Sequence, residues 1–116
     1  MKKYMIFDAY GTLLDVNSPV KNFLKQNKNN ILEQRWELLC NIWREKQISY
    51  TWLLNITNSY YDFLTVTKNS LKYAIDYVDL NIDQKTFEKL VNFYLKIEPY
   101  HEIKNVLTKL KKLHYN

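Results

Sequence analysis

Chain breakers are almost missing from this sequence. One glycine, Gly11, and two prolines, Pro19 and Pro99, are all that interrupt 116 residues. A β fold built on tight turns needs more of both, so long helices are expected. The single cysteine, Cys40, excludes an intrachain disulfide and fits a reduced, cytoplasmic setting. No run of 18 apolar residues occurs, so no membrane span is expected. The basic start Met1-Lys2-Lys3 leads into an apolar stretch that ends at Asp8, too short for a secretory signal. Only two histidines, His101 and His114, are present, and neither has a partner at metal-ligand spacing. Arginine is nearly absent too: of seventeen basic residues only Arg35 and Arg44 are not lysine. The lysines are scattered, and no helix-turn-helix, zinc knuckle or aromatic-basic sheet signature accompanies them. The formal charge of +5 therefore does not make nucleic acid an expected partner.

What is present suits one small domain with ample core material: 47% hydrophobic and 16% aromatic residues. Tyr4 to Phe7 is apolar at consecutive positions, as in a strand covered on both faces. After Pro19 the pattern turns helical, with Val20 to Lys25 a short helix capped by Ser18. Asn27 to Asn30 reads as a polar break. Leu32, Trp36, Leu39 and Trp43 then recur at helical spacing, followed by Trp52, Leu53, Ile56, Tyr60 and Phe63, with a break expected near Gln47 to Tyr50. Thr67 can cap a third helix carrying Leu71, Ala74, Ile75 and Val78. Asp83 can cap a fourth with Phe87, Leu90, Val91 and Tyr94 inward. The last helix sets Ile103, Val106, Leu107, Leu110 and Leu113 opposite lysines. Cys40 falls on an apolar stripe and reads as a buried structural thiol.

The densest chemical signal is Met5-Ile-Phe-Asp-Ala-Tyr-Gly-Thr-Leu-Leu-Asp15. A strand that ends on a carboxylate and turns at once delivers that group to the edge where open α/β folds place their chemistry. Asp8 in that position is either an aimed nucleophile or the cap of a turn. Gly11 lets the backbone bend closely, and Thr12 can hydrogen-bond the carboxylate or the loop.

The pattern Asp-x-x-Gly-Thr-Leu after an apolar run resembles the first motif of the haloacid dehalogenase superfamily. A second segment, Trp43-Arg-Glu-Lys-Gln-Ile-Ser-Tyr-Thr-Trp-Leu53, resembles the helical cap of the (S)-2-haloacid dehalogenases, and the likeness runs over essentially the whole chain. The resemblance implies an α/β fold, a Rossmannoid core with a helical cap, of which this chain carries a mostly helical part with one short N-terminal strand. It implies residues 1–16 as the first strand and nucleophile loop, 17–98 as the cap, and 99–116 as a helix returning to the core, cut off ahead of a second strand.

The implied activity is hydrolytic displacement of halide from C2 of a short 2-haloalkanoic acid through an aspartyl ester. By the same resemblance Asp8 is the nucleophile, Thr12 supports it, and Arg44 stabilises the departing halide. Tyr10, Ile48 and Phe63 face the substrate. No metal and no organic cofactor is implied. Phosphatases of the superfamily carry a second aspartate two residues after the nucleophile, and such a general acid is worth about 10²–10⁴-fold. Tyr10 stands there instead, and a halide, unlike an alkoxide, leaves without a proton.

Residues that would hold the substrate carboxylate and activate water are expected past Asn116, so the chain is expected to be incomplete and inactive alone. A phosphatase-like hydrolase, a decayed fragment, and a helical module pairing with a separately encoded second half all stay open. The expected partners are a small halogenated carboxylic acid and either that second half or another copy of the chain.

Overall fold

A computed structural model of the chain describes residues 3–115, with the side chain of Asn30 set aside. Met1, Lys2 and Asn116, which belong to the expected first and last segments, lie outside the described residues. Among the described residues five helices make up the fold: α1 (Ser18–Gln26), α2 (Asn30–Ile56), α3 (Phe63–Tyr77), α4 (Gln84–Tyr94) and α5 (Ile103–Lys112).

The α/β expectation fails. Among the described residues there is no strand and no sheet, only three isolated bridges: Lys3 with Tyr115, Tyr10 with Leu14, and Leu14 with Pro99. The reason is physical. An extended segment becomes a strand only when a neighbour pairs its backbone, and among the described residues no backbone bridge pairs Tyr4 to Phe7. These four residues are exposed instead, Ile6 at 94%. Their apolar run signals a need for cover but supplies none.

The core lies where α1, α2, α3 and α4 meet. Val20 and Phe23 of α1 join Leu32, Leu39, Cys40 and Trp43 of α2, and Leu71, Ala74 and Ile75 of α3. Phe87, Leu90, Val91 and Tyr94 of α4 close it. The inward faces read from α3 and α4 are those the core uses. α5 differs: its apolar stripe is real, yet no residue of it is buried. The molecule is correspondingly open, 55 × 39 × 19 Å with a radius of gyration of 16.8 Å, against about 13 Å for a compact chain of 100 residues.

Helix starts and stops show how the chain manages without glycine. Asn29, Asp62 and Asp83 accept from the backbone N–H of Leu32, Thr65 and Thr86 at 3.0, 2.7 and 2.8 Å, each satisfying one orphan donor. Hydrogen bonding holds both carboxyls below the ordinary carboxylate range, from the Thr65 backbone and then its side chain at Asp62, and from the Thr86 side chain and then its backbone at Asp83. At the other ends, Asn58, Asp79 and His114 take left-handed φ values of 52°, 52° and 62°. The next residue then donates back to a carbonyl five positions earlier: Ser59 to Leu54, Leu80 to Ile75, Tyr115 to Leu110. This closure usually employs glycine; asparagine and aspartate tolerate the conformation next best.

Three expectations about boundaries are corrected by the same logic. Gln47 to Tyr50 lies inside one continuous 27-residue helix, because no glycine or proline interrupts α2. Thr67 is not a cap: α3 starts earlier, at Phe63 with Asp62 as its cap, and the Thr67 hydroxyl donates to the Phe63 carbonyl within the helix at 2.7 Å. Ser18 is not a cap either. Asn17 holds that position, while the Ser18 hydroxyl accepts from Glu98 N–H at 3.0 Å.

Burial raises the Cys40 thiol to about 12, with Lys21 opposing the shift. Below pH 9 the thiol is protonated whether the chain is folded or not. Between 9 and about 12 the unfolded chain ionises first, so folding stability should fall as pH rises. At pH 8 a thiol reagent should label folded Cys40 roughly 10³-fold more slowly than the denaturant-unfolded chain, since only the thiolate reacts. Equal rates would show the thiol to be open.

Candidate functional site

The motif loop folds tightly on itself. The Ala9 carbonyl accepts from the N–H groups of Thr12, Leu13 and Leu14, and Gly11 N–H donates to Leu14 at 2.8 Å. Gly11 sits at φ +86° with open space around it, so glycine is needed for the backbone angle and not for room. The loop is tied to the chain before α5: Asp15 N–H donates to the Glu98 carbonyl at 2.8 Å and Tyr100 N–H to the Leu13 carbonyl at 3.1 Å. Within it, the Thr12 hydroxyl donates to Asp8 Oδ2 at 3.0 Å.

On α2, Arg44, Gln47, Ile48 and Thr51 are spaced so that they share one helical face, and Arg44 reaches the loop. Arg44 Nη2 donates to the Tyr10 carbonyl at 3.3 Å, and the guanidinium lies 5.5 Å from the centre of the Tyr10 ring, within cation–π range. The Tyr10 ring packs on Phe63, with centroids 5.6 Å apart, and stacks near-parallel to Tyr94 at 6.3 Å. Beside them is a hollow of about 210 Å³ lined by Arg44, Gln47, Ile48, Thr51, Trp52 and Phe63. That is below the 300–1,000 Å³ typical of drug-sized ligands and suits a smaller one. Larger hollows lie elsewhere, among them one of about 630 Å³ between Asn27, Lys89 and Lys96, but none of the motif residues lines it.

The structure thus gathers Tyr10, Arg44, Ile48 and Phe63 in one place. Asp8 stays outside the cluster. It is exposed, and among the described residues no hydrogen bond or ion pair joins it to Arg44. Residues missed at the sequence level stand between these groups. Gln47 is 1% exposed; its Oε1 accepts from Tyr94 Oη at 2.7 Å and from Arg44 Nη1 at 3.1 Å. Its Nε2 donates to Thr67 Oγ1 at 2.9 Å. Gln47 lies one helical turn after Arg44, and that spacing was the available signal. Burial raises the pKa of the Tyr94 hydroxyl, while the bond to Gln47 and the charge of Arg44 work the other way.

His101 is exposed and pairs with Glu102 at 3.1 Å. Among the described residues no group of three or more His, Cys, Asp or Glu could hold a metal ion, and no helix is long and apolar enough to cross a membrane.

An all-helical chain with an Asp-x-x-Gly-Thr-Leu loop under a long helix matches one class of known protein, the dehalogenases of the haloacid dehalogenase superfamily, over part of their length. Among curated relatives, the (S)-2-haloacid dehalogenase of Pseudomonas fluorescens is 32% identical over 106 residues, covering 91% of this chain and 44% of the relative. That of Pseudomonas sp. (strain YL) is 33% identical, covering 95% and 45%. Haloacetate dehalogenase H-2 of Moraxella sp. (strain B) is 33% identical, covering 96% and 48%. Among solved structures, a dehalogenase at 30% identity superposes with a TM-score of 0.82 over 98% of this chain and 48% of its own. The L-2-haloacid dehalogenase of Xanthobacter autotrophicus with chloropropionic acid covalently bound, 31% identical, superposes with a TM-score of 0.73 over 96% and 43%. The chain therefore spans about half the length of the relatives it matches. No family model matches it.

Proposed function

We propose that this chain is the helical, nucleophile-bearing part of a 2-haloacid dehalogenase-like hydrolase, whose site is completed by residues outside these 116 and is inactive without them. The observation that carries this reading is an assembled lid beside an uncovered flank. Arg44, Ile48 and Phe63 line one small hollow, with Tyr10 packed on Phe63 behind it, whereas Tyr4 to Phe7 and Leu107 and Leu113 at α5 leave apolar side chains in water. Apolar side chains left exposed in this way are available for association.

In the completed centre an Asp8 carboxylate oxygen attacks C2 of the haloacid. The carbon–halogen bond breaks and the halide leaves with its electron pair, toward Arg44, whose guanidinium offers fixed donors and permanent charge. Water then cleaves the ester, returning the Asp8 carboxylate and releasing a 2-hydroxy acid and a proton. Residues outside this chain supply the groups that activate that water. The covalent chloropropionic acid in the Xanthobacter autotrophicus relative supports this substrate class. A phosphatase-like reaction is disfavoured because Tyr10 stands where the superfamily's phosphatases carry a second aspartate as general acid.

Halide release from (S)-2-chloropropionate tests the proposal. The purified chain alone should show no turnover. Co-expression with the part of the Xanthobacter autotrophicus dehalogenase that this chain does not match should yield a complex that releases halide steadily. Turnover by the chain alone would overturn its incompleteness. A complex that forms but stays silent would leave a helical fragment without catalytic use.

A further inference from the structure

We propose that Gln47 is a positioning residue: it holds the Arg44 guanidinium against the backbone of the motif loop. This rests on the reading of Arg44 given above but is argued from a different feature, the polar chain that crosses the core. Its bonds run in one direction. The Thr67 hydroxyl spends its proton on the Phe63 carbonyl at 2.7 Å, so toward Gln47 it can only accept. The Gln47 amide must then turn its Nε2 to Thr67, at 2.9 Å, and its oxygen to the other side. There the oxygen receives Tyr94 Oη at 2.7 Å and Arg44 Nη1 at 3.1 Å. With Nη1 fixed, the planar guanidinium presents Nη2 to the Tyr10 carbonyl at 3.3 Å. α2, α3 and α4 thereby jointly set one cation over one loop.

Burial makes this arrangement demanding. Gln47 and Thr67 are each 1% exposed, and among the described residues no buried side-chain polar atom lacks a partner. A buried amide that loses a partner pays the full desolvation cost of that group, so the amide has one satisfied orientation. A Leu at 47 would fill the space and serve the core, but it would leave Arg44 with only its bond to Tyr10. The distinction between packing and positioning is therefore measurable.

The chain contains two arginines, which makes the experiment clean. Arg35 donates to the Val78 and Asp79 carbonyls at the far end of α3 and serves as an internal control. In the ¹⁵N-labelled chain, guanidinium rotation is read from the Nη signals of each arginine. Gln47→Leu should speed the rotation of Arg44 about tenfold, the factor one net hydrogen bond is worth, and leave Arg35 unchanged. Gln47→Glu should restore slow rotation, because its carboxylate still accepts from Arg44 and Tyr94 while the Thr67 hydroxyl turns to donate to it. If Gln47→Leu does not fold, Thr67→Val takes its place: it removes the acceptor that orients the amide and should also free Arg44. An unchanged Arg44 in a folded variant overturns the proposal. So does equal acceleration of both arginines, which is general loosening. The readout needs no activity, so a firmly held Arg44 in a complex that releases no halide would sink the dehalogenase reading and still support the network.

Discussion

Replacing Trp43 with alanine is expected to cost about 3–5 kcal/mol of folding free energy, a large part of the roughly 5–15 kcal/mol that a domain of this kind possesses. The indole is 2% exposed. It packs against Tyr94 with centroids 4.9 Å apart, and its Nε1 donates to the Thr67 carbonyl at 3.0 Å. It thus joins α2 to α3 and α4 at the level of the motif loop. Truncation leaves a cavity that helices fixed elsewhere cannot close. Trp52, nine residues further along the same helix, is 67% exposed, and Trp52→Ala should change stability by no more than about 0.5 kcal/mol. Urea unfolding of the two variants makes the comparison. Equal midpoints would mean that the junction of α2, α3 and α4 does not hold the fold.

That contrast shows where hydrophobic pattern is informative and where it is not. From Leu32 to Trp43 the apolar stripe of α2 meets other helices, and Leu32, Leu39 and Trp43 are buried. Beyond Gln47 the stripe continues through Trp52, Leu53 and Ile56, yet all three are exposed. Periodicity reports that a face is apolar; it does not report what, if anything, lies against it. The same gap explains Tyr4 to Phe7. Four apolar residues in a row identify a segment suited to burial on two sides, but a strand exists only in the hydrogen bonds of its neighbours. Among the described residues the only backbone bridge near it is the one from Lys3 to Tyr115.

Caps were legible only in part. Asp83 caps α4 as its place ahead of the Phe87 turn indicates. Thr67 and Asp62 both precede apolar helical turns, and the chain uses the earlier one. Of the candidate site, the motif residues were visible because their types are unusual here: a lone glycine, and one of two arginines. Gln47 was not, since a glutamine looks like any exposed helix residue until three helices bury it.

In the completed complex, Asp8→Asn is expected to reduce halide release on the order of 10⁴–10⁶-fold, the scale on which enzymes lose rate when a group at the heart of covalent catalysis is removed. Asparagine keeps the size of the side chain and an oxygen that can still accept from the Thr12 hydroxyl, now at 3.0 Å from Asp8 Oδ2. Asp8 is exposed, so folding should be unaffected, and the helical circular dichroism of the variant should match that of the parent. What disappears is the negative charge that makes the oxygen a nucleophile toward C2. Thr12→Val separates the remaining contribution: it removes the bond that orients the carboxylate and leaves the charge, so a loss of only about tenfold is expected. The order of these two effects is what identifies the chemistry. Mass spectrometry of the Thr12→Val complex under substrate should still show the ester on Asp8, and that of Asp8→Asn should show none. Undiminished halide release from Asp8→Asn would remove the aspartate from the reaction and with it the ester mechanism.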